Sequence, residues 1–384
     1  MSNKFEETQS HISVLIPDSQ DHKLLVLQVV NCLSLHKNVK VYVMSSDKHN
    51  YLKYSRYVAH LSYYPETDIK NWITNINNEV KRYAIDVILP VFETGIKKLI
   101  TNKNLIKQNN KLCLLPNLSN FNTAQNKGLL YLHLKANGFP CPESVITSPN
   151  ELPDLKTLKF PLIAKPVSGF GGGQQIRVLK TNDDVLDYSK SATFSCNAMY
   201  QNFINGYDLT CNVLCYKGEI TAYSIQNSSL FHKDEVTPQK GFEFVNDTKL
   251  LTLIKNMMKS LDWSGVANID CRYDTTDNTF KIIEINTRYW MNVDASAIAN
   301  VNFPYLHCLS SLDIYPDVKE ANHITYLNLK GLVKQVIKKP TMVFKIGYLK
   351  NNTPLVFALK DPLPMLYKFV WRTKNVIISK IKSI

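Results

Sequence analysis

Apolar and polar positions along this chain repeat with two periods, and the changes of period mark its elements. His11 to Pro17 is an unbroken apolar run of strand length, Asp21 to Leu35 carries apolar positions at helical spacing, and Val39 to Met44 returns to a strand. Asp68 to Tyr83 again has helical spacing, and Ile85 to Val91 again reads as a buried strand. Strands alternating with helices predict a small open parallel sheet over residues 1–115. In such sheets ligands bind beyond the carboxyl ends of the strands. Glu93, just past Leu89-Pro90-Val91, is therefore placed either to grip a substrate amine or to act as a helix N-terminal acid favoured by the macrodipole.

Further along, Val266-Ala267-Asn268-Ile269-Asp270-Cys271 and Ile282-Ile283-Glu284-Ile285-Asn286 read as two strands joined by the turn formers Asp274 to Asn278. Successive strand side chains alternate between faces, so Glu284 and Asn286 share a face while Ile283 and Ile285 pack beneath. With a hairpin centred on Asp277, Asp270 lies across from Glu284. Facing carboxylates repel unless a cation neutralises them, and an all-oxygen set suits Mg2+ carrying phosphate oxygens. A solvated acidic hairpin is the plainer alternative.

Two more segments carry chemistry. From Phe160 to Leu179, two apolar strands flank a loop holding Gly169, Gly171, Gly172 and Gly173, four of the thirteen glycines. Such a loop can bring backbone N–H groups against phosphate, and Lys165 just before it can add a point charge. No Gly-Lys-Ser/Thr follows and a strand rather than a helix comes next, which excludes a Walker A loop and a dinucleotide fingerprint. From Ala198 to Leu214 the pattern is a strand, a turn at Asn205-Gly206, and a second strand with Asp208 at its start.

In this order and spacing the segments resemble the ATP-grasp superfamily over about Asn122 to Leu312, with a family-type N-terminal domain before it. The resemblance implies a mixed α/β fold and three parts: an N-terminal domain at 1–115, an ATP-grasp domain of two subdomains at 116–315, and a basic extension at 316–384. It implies that Lys127 and Lys165 contact phosphates, that the glycine loop covers them, and that Gln201, Asn202, Phe203 and Ile204 form the adenine hinge. Asp208 would hold the ribose, Asp270, Glu284 and Asn286 would ligate metal, and Arg288 would act with Lys165 in catalysis. ATP and Mg2+, with Mn2+ as an alternative ion, are the implied cofactors. The implied reaction activates a carboxylate as an acylphosphate and joins it to an amine; an ATP-grasp carboxylase using bicarbonate, or a non-catalytic ATP-binding scaffold linked to membrane or surface-polymer assembly, are the alternatives. Two departures stand out. Gln201 and Asn202 replace the acids common in the hinge, and Tyr289-Trp290-Met291-Asn292 follows Arg288 where relatives often carry small residues.

Composition adds limits. At 384 residues and 45% hydrophobic content the chain can form two or three packed domains. No apolar run approaches a membrane span and the first residues are polar, which points to the cytoplasm, with contact at the inner membrane surface as an addition. Eight scattered cysteines predict free thiols. His232 and Lys233 fall in a long polar connection that either covers the site or is simply solvated. The charge is uneven: residues 321–384 hold twelve Lys or Arg and one acid, Asp361, or +11 of the total +13. Within this part, residues 365–384 form an amphipathic helix pattern with Leu366, Phe369, Val370, Ile377, Ile381 and Ile384 on one stripe. Such a helix either docks on the protein body or rests on an anionic membrane. Nucleic acid is not expected, since basic charge comes without a binding fold. The family implies small-molecule partners and allows a homodimer.

Overall fold

The computed structural model describes residues 11–17, 23–65, 67–148, 151–169, 175–191, 196–228, 241–317 and 320–382. It divides into two compact units, residues 1–115 with 288–384, and residues 116–287. Three parts were expected; residues 288–315 instead group with the N-terminal unit, and so does the basic extension.

The first unit begins with β1 (Ile12–Pro17), α1 (Lys23–Leu33), β2 (Val39–Ser45), β3 (Val58–Tyr63), α2 (Ile69–Arg82), β4 (Val87–Ile88) and α3 (Glu93–Thr101). The strands form a four-stranded sheet in the order β3-β2-β1-β4, and its pairs are parallel, as the alternation of strands and helices predicts. Strand β1 is buried almost throughout, which is why its sequence is continuously apolar. The pattern did not reveal β3, because an edge strand exposed along much of its length has little apolar signal to read. Its connection from β2 holds only the 3-10 turn Tyr51–Tyr54.

The second unit comprises α4 (Leu118–Gln125), α5 (Lys127–Ala136), β5 (Ser144–Thr147), β6 (Leu162–Pro166), β7 (Arg177–Leu179), α6 (Asn182–Ser191), β8 (Ala198–Asn202), β9 (Gly206–Tyr216), β10 (Glu219–Asn227), β11 (Gly241–Val245), α7 (Thr248–Ser260), β12 (Gly265–Asp274) and β13 (Thr279–Asn286). It holds two antiparallel sheets. One is ordered β5-β8-β6-β7, and the other runs β13-β12-β9-β10-β11. Strands β8 and β9 lie in different sheets, so residues 203–205 cross between sheets rather than turning a hairpin. Helix α7 packs on β9 and β10 through buried Leu250, Ile254, Met257 and Met258.

The chain then returns to the first unit with α8 (Val293–Ile298), α9 (Phe303–Ser311), β14 (Thr325–Leu327), α10 (Leu329–Lys338), a 3-10 turn at Pro340–Phe344, α11 (Ile346–Asn352), α12 (Leu355–Lys360) and α13 (Leu363–Lys382). Among the described residues no helix is long and apolar enough to cross a membrane. The eight cysteines are free thiols, six of them buried.

Candidate functional site

The larger sheet of the second unit has one polar face, built by register. In an antiparallel ladder, residues directly opposite one another share a face. Ser224, Asn212, Asn268 and Asn286 form one such row across β10, β9, β12 and β13. The neighbouring row on that face is Gln226, Thr210, Asp270 and Glu284, and the next is Asp208, Arg272 and Lys281. The row between the first two, on the reverse face, is Ile225, Cys211, Ile269 and Ile285, all buried. Alternation along each strand thus separates an apolar underside from a polar upper side.

Asp270 does lie opposite Glu284, though the hairpin is not the simple mirror about Asp277. Beyond Asp270 the register slips: Cys271 pairs with Ile282, so Ile283 is an extra, bulged residue. Without the bulge Asp270 would face Ile283. The bulge also corrects the expected packing, since Ile282 and Ile285 are buried while Ile283 is only partly so.

Hydrogen bonds knit the face together. Asn212 Nδ2 donates to Ser224 Oγ at 3.3 Å, Asn268 Nδ2 to Asn212 Oδ1 at 2.7 Å, and Asn286 Nδ2 to Asn268 Oδ1 at 2.9 Å. Asn286 Nδ2 also lies 3.1 Å from Asp270 Oδ2, and Thr210 Oγ1 donates to Asp270 Oδ1 at 3.0 Å. Because each carboxamide in the ladder is held by its neighbour, the orientation of Asn286 is set three strands away. Gln226 Nε2 is buried with no hydrogen-bond partner among the described residues.

Cations reach this face from two elements. Lys127 opens α5, whose N-cap Asn126 accepts from Gly128 N at 2.9 Å and Leu129 N at 3.0 Å, while Lys127 N donates to Val167 O at 2.8 Å. Gly128 must stay small here, since a Cβ would meet Ile146, Asn126 and Val167 at 3.1–3.3 Å. So anchored, Lys127 Nζ lies 3.1 Å from Glu284 Oε2. Lys165, on β6, is buried and donates from Nζ to Gln201 Oε1 at 3.1 Å. Burial, tempered by the charge of Glu284 and reinforced by Lys127, brings its ammonium down to about 8.

The two carboxyls diverge in consequence. Burial, then the charge of Glu284, pushes Asp270 up to about 7. Burial also works against ionised Glu284, but Lys127 and Lys165 outweigh it and hold that carboxyl below its ordinary value. The set therefore carries one well-compensated carboxylate and one undercompensated one, a fit for a hard divalent cation with oxygen ligands. Among the described residues no three Asp, Glu, His or Cys side chains cluster for a metal. The donor set here is two carboxylates and the Asn286 amide.

At the hinge, Asn202 N donates to Glu143 O at 2.9 Å and Phe203 N to Pro161 O at 3.2 Å. Gln201 and the side chain of Asn202 are also engaged: Gln201 Nε2 donates to Ser144 Oγ at 3.0 Å, and Asn202 Oδ1 accepts from Lys159 N at 2.8 Å. A residue that the motif reading missed organises the crossing. Arg272 donates from Nε to Ile204 O at 2.7 Å, from NH2 to Gly206 O at 3.1 Å, and from NH1 to Asp208 Oδ1 at 2.7 Å, and its guanidinium lies 5.5 Å from the Phe203 ring centroid. Asp208 is half exposed on its other side. The signal was present as a period of two, Asn268-x-Asp270-x-Arg272 against Asp208-x-Thr210-x-Asn212. Gly169 has positive φ at +73°, and Gly171, Gly172 and Gly173 lie outside the described residues, as do His232 and Lys233.

Arg288 falls in the first unit. There its Nε is 3.6 Å from Glu93 Oε1, NH1 donates to Tyr289 O at 2.8 Å, and the guanidinium lies 5.2 Å from the Phe92 ring centroid. Glu93 is the first residue of α3, the position of a helix N-terminal acid, and its carboxylate faces Arg288 within the same unit.

Residues 124–290 match the ATP-grasp domain family. Among curated proteins, the D-alanine–D-alanine ligase of Gluconobacter oxydans is 24% identical over 200 residues, which is 48% of this chain and 65% of that one. The D-aspartate ligase of Enterococcus faecium is 24% identical over 200 residues, 46% of this chain and 47% of that one. The chain thus matches less than two thirds of the length of these relatives. Among solved structures, carboxyaminoimidazole ribonucleotide synthase of Aspergillus clavatus complexed with ATP superposes with a TM-score of 0.64 at 16% identity, covering 86% of this chain and 87% of that one. The L-amino acid ligase of Bacillus licheniformis gives 0.58 at 16% identity, covering 79% and 74%. Over residues 124–290 the chain thus matches an ATP-grasp domain, and its fold is mixed α/β.

Proposed function

We propose that this protein is an ADP-forming ligase that activates a small carboxylate with ATP and joins it to an amine. The observation that carries the reading is the pairing of Asp270 with Glu284 on a polar sheet face, with Lys127 on Glu284 and buried Lys165 within the same electrostatic cluster. A carboxylate oxygen of the substrate would attack the γ-phosphorus of ATP, releasing ADP. The amine would then attack the acyl carbon, and phosphate would leave with the carboxylate oxygen to give the amide.

Such a transfer needs positioning and charge neutralisation rather than a covalent nucleophile. Asp270, Glu284 and the Asn286 amide would hold Mg2+, which supplies charge neutralisation when bound. Lys127 and Lys165 would stabilise negative charge on the phosphates. Since the Asn202 and Phe203 amides are consumed internally, Ile204 N–H would be the hinge donor offered to adenine, and Arg272 would hold the crossing that presents it. Asp208, oriented by Arg272, would take the ribose hydroxyls. D-alanine–D-alanine ligase, D-aspartate ligase and L-amino acid ligase among the matches support amino acids as the substrate class.

Carboxylation is the second reading, favoured by the broad superposition on carboxyaminoimidazole ribonucleotide synthase. Both are tested by ADP release from MgATP with pooled amino acids and small carboxylates, with and without bicarbonate, using Glu284→Ala as the control. Stimulation by an amino-acid pool, absent in the variant, is expected. Release that depends on bicarbonate would move the assignment to a carboxylase, and tight ATP binding with no stimulation would leave a binding protein.

A further inference from the structure

The segment from α10 to α13 has a surface that the ATP-grasp reading does not use. Its one acid, Asp361, is buried, where it accepts from Ser55 Oγ and from Arg56 N. Lys330, Lys334, Lys338, Lys339, Lys345, Lys350, Lys360 and Lys368 are all exposed. The exposed charge is therefore of one sign, whereas the rest of the chain carries +2 of the total +13.

Large apolar side chains are exposed among these lysines. Ile337 is 76% exposed, Phe344 81%, Ile346 73%, Leu359 72%, Phe369 72% and Val370 63%. Single exposed apolar residues are ordinary, but six in one short segment mark a surface that meets something apolar. Helix α13 shows how this arises. It docks through Tyr367 on Tyr54, with ring centroids 4.5 Å apart, and through Trp371 on His49 at 5.0 Å. Pro364 is buried on the same side, which turns the stripe of Leu363, Leu366, Phe369 and Val370 outward. The helix therefore attaches to the body, but with its aromatic side and not with the apolar stripe read from the sequence. The side chains of Ile377, Ile381 and Ile384 lie outside the described residues.

We propose that this surface binds the headgroup and acyl boundary of a membrane containing anionic phospholipid, with the exposed apolar side chains inserted and the lysines against the lipid phosphates. Basic and apolar groups interleaved on helices are the composition of an interfacial surface. A second copy fits poorly: a two-fold interface would set this face against itself, bringing like charge onto like charge. Nucleic acid would satisfy the lysines but leave the aliphatic side chains without a partner.

The test is sedimentation of the full chain with vesicles of phosphatidylcholine alone and of phosphatidylcholine mixed with phosphatidylglycerol, for wild type, Phe344→Asp and Phe369→Asp. These positions are so exposed that the variants should fold, which thermal melting checks. Binding is expected only with the anionic vesicles, weakened by added salt and by about tenfold or more in each variant. No sedimentation with anionic vesicles, equal binding to both vesicle types, or binding indifferent to both variants would overturn the proposal. So would a dimer in light scattering that the same variants dissolve. None of these outcomes depends on the ligase assignment.

Discussion

Two side chains and one glycine show how single residues shape the polar face and the crossing beside it. Glu284 is kept ionised by Lys127 and Lys165, so Glu284→Gln should remove the ion pair and cut ATP turnover by about a hundredfold or more with little change in melting temperature. Near-normal turnover would refute the metal assignment. Arg272 acts through the backbone it holds. Arg272→Lys cannot reproduce three directed hydrogen bonds from a planar fork, so KM for ATP should rise several-fold with kcat less affected, read by steady-state kinetics. Gly206 is different in kind: it has φ of +153°, and a Cβ there would come within 1.8 Å of Tyr273 O. No rotamer relieves a clash with backbone, so Gly206→Ala should destabilise by roughly 1–3 kcal/mol or more in chemical denaturation. Among these, only Glu284 was a candidate from its local motif; Arg272 takes its contacts from a strand neighbour sixty-four residues away.

At the scale of elements, the sheet face is one cooperative unit. Asn268 accepts from Asn286 and donates to Asn212, so Asn268→Leu would leave the buried Asn212 carboxamide and the half-buried Asn286 carboxamide each one hydrogen bond short, costing roughly 1–3 kcal/mol. The same change should weaken MgATP binding in titration calorimetry, because the Asn286 amide loses its holder; a stability loss with unchanged binding would separate the ladder from the site. The alternating positions of β9 and β12 contain this face in the sequence, as Asp208, Thr210, Asn212 and Asn268, Asp270, Arg272. What alternation cannot supply is which strand lies beside which, and the β-bulge at Ile283 decides that Asp270 meets Glu284. The hinge is a similar case. An apolar strand, Asn-Gly and a second strand reads locally as a hairpin, yet β8 and β9 join different sheets.

For the molecule as a whole, burial creates a pH dependence outside the polar face. Asp294 in α8 is buried, and that burial, partly offset by backbone N–H groups and by Tyr326, pushes its carboxyl up to about 7. A raised folded-state value means that its stabilising contribution is complete at acid pH and is lost as pH rises through about 7. Thermal melts of wild type should therefore fall relative to those of Asp294→Asn as pH rises from about 4 to about 7, so the difference between the two proteins should change across that window. A constant difference across the window would show that Asp294 ionises freely. His307, brought down to about 4 by burial and bonded to Tyr289 at 2.8 Å, is present in both proteins, so its own pH dependence cancels in the comparison. The uneven charge is likewise a property of the whole chain, since only folding hides Asp361 and leaves the lysines of the last segment without an exposed acid among them.

Local chemistry determined much of this protein from its sequence: the parallel sheet from continuous apolar runs, the antiparallel pair that flanks the glycine-rich loop, and the pairing of Asp270 with Glu284. Those features depend on near neighbours, which a linear pattern records. Tertiary structure alone decided the rest. It set the three polar rows across strands, the Arg272 clamp, and the grouping of residues 288–384 with the first unit. It also chose which side of α13 is docked. Each of these depends on contacts between residues far apart in the chain, where the free energy of burial and pairing, and not local preference, makes the choice.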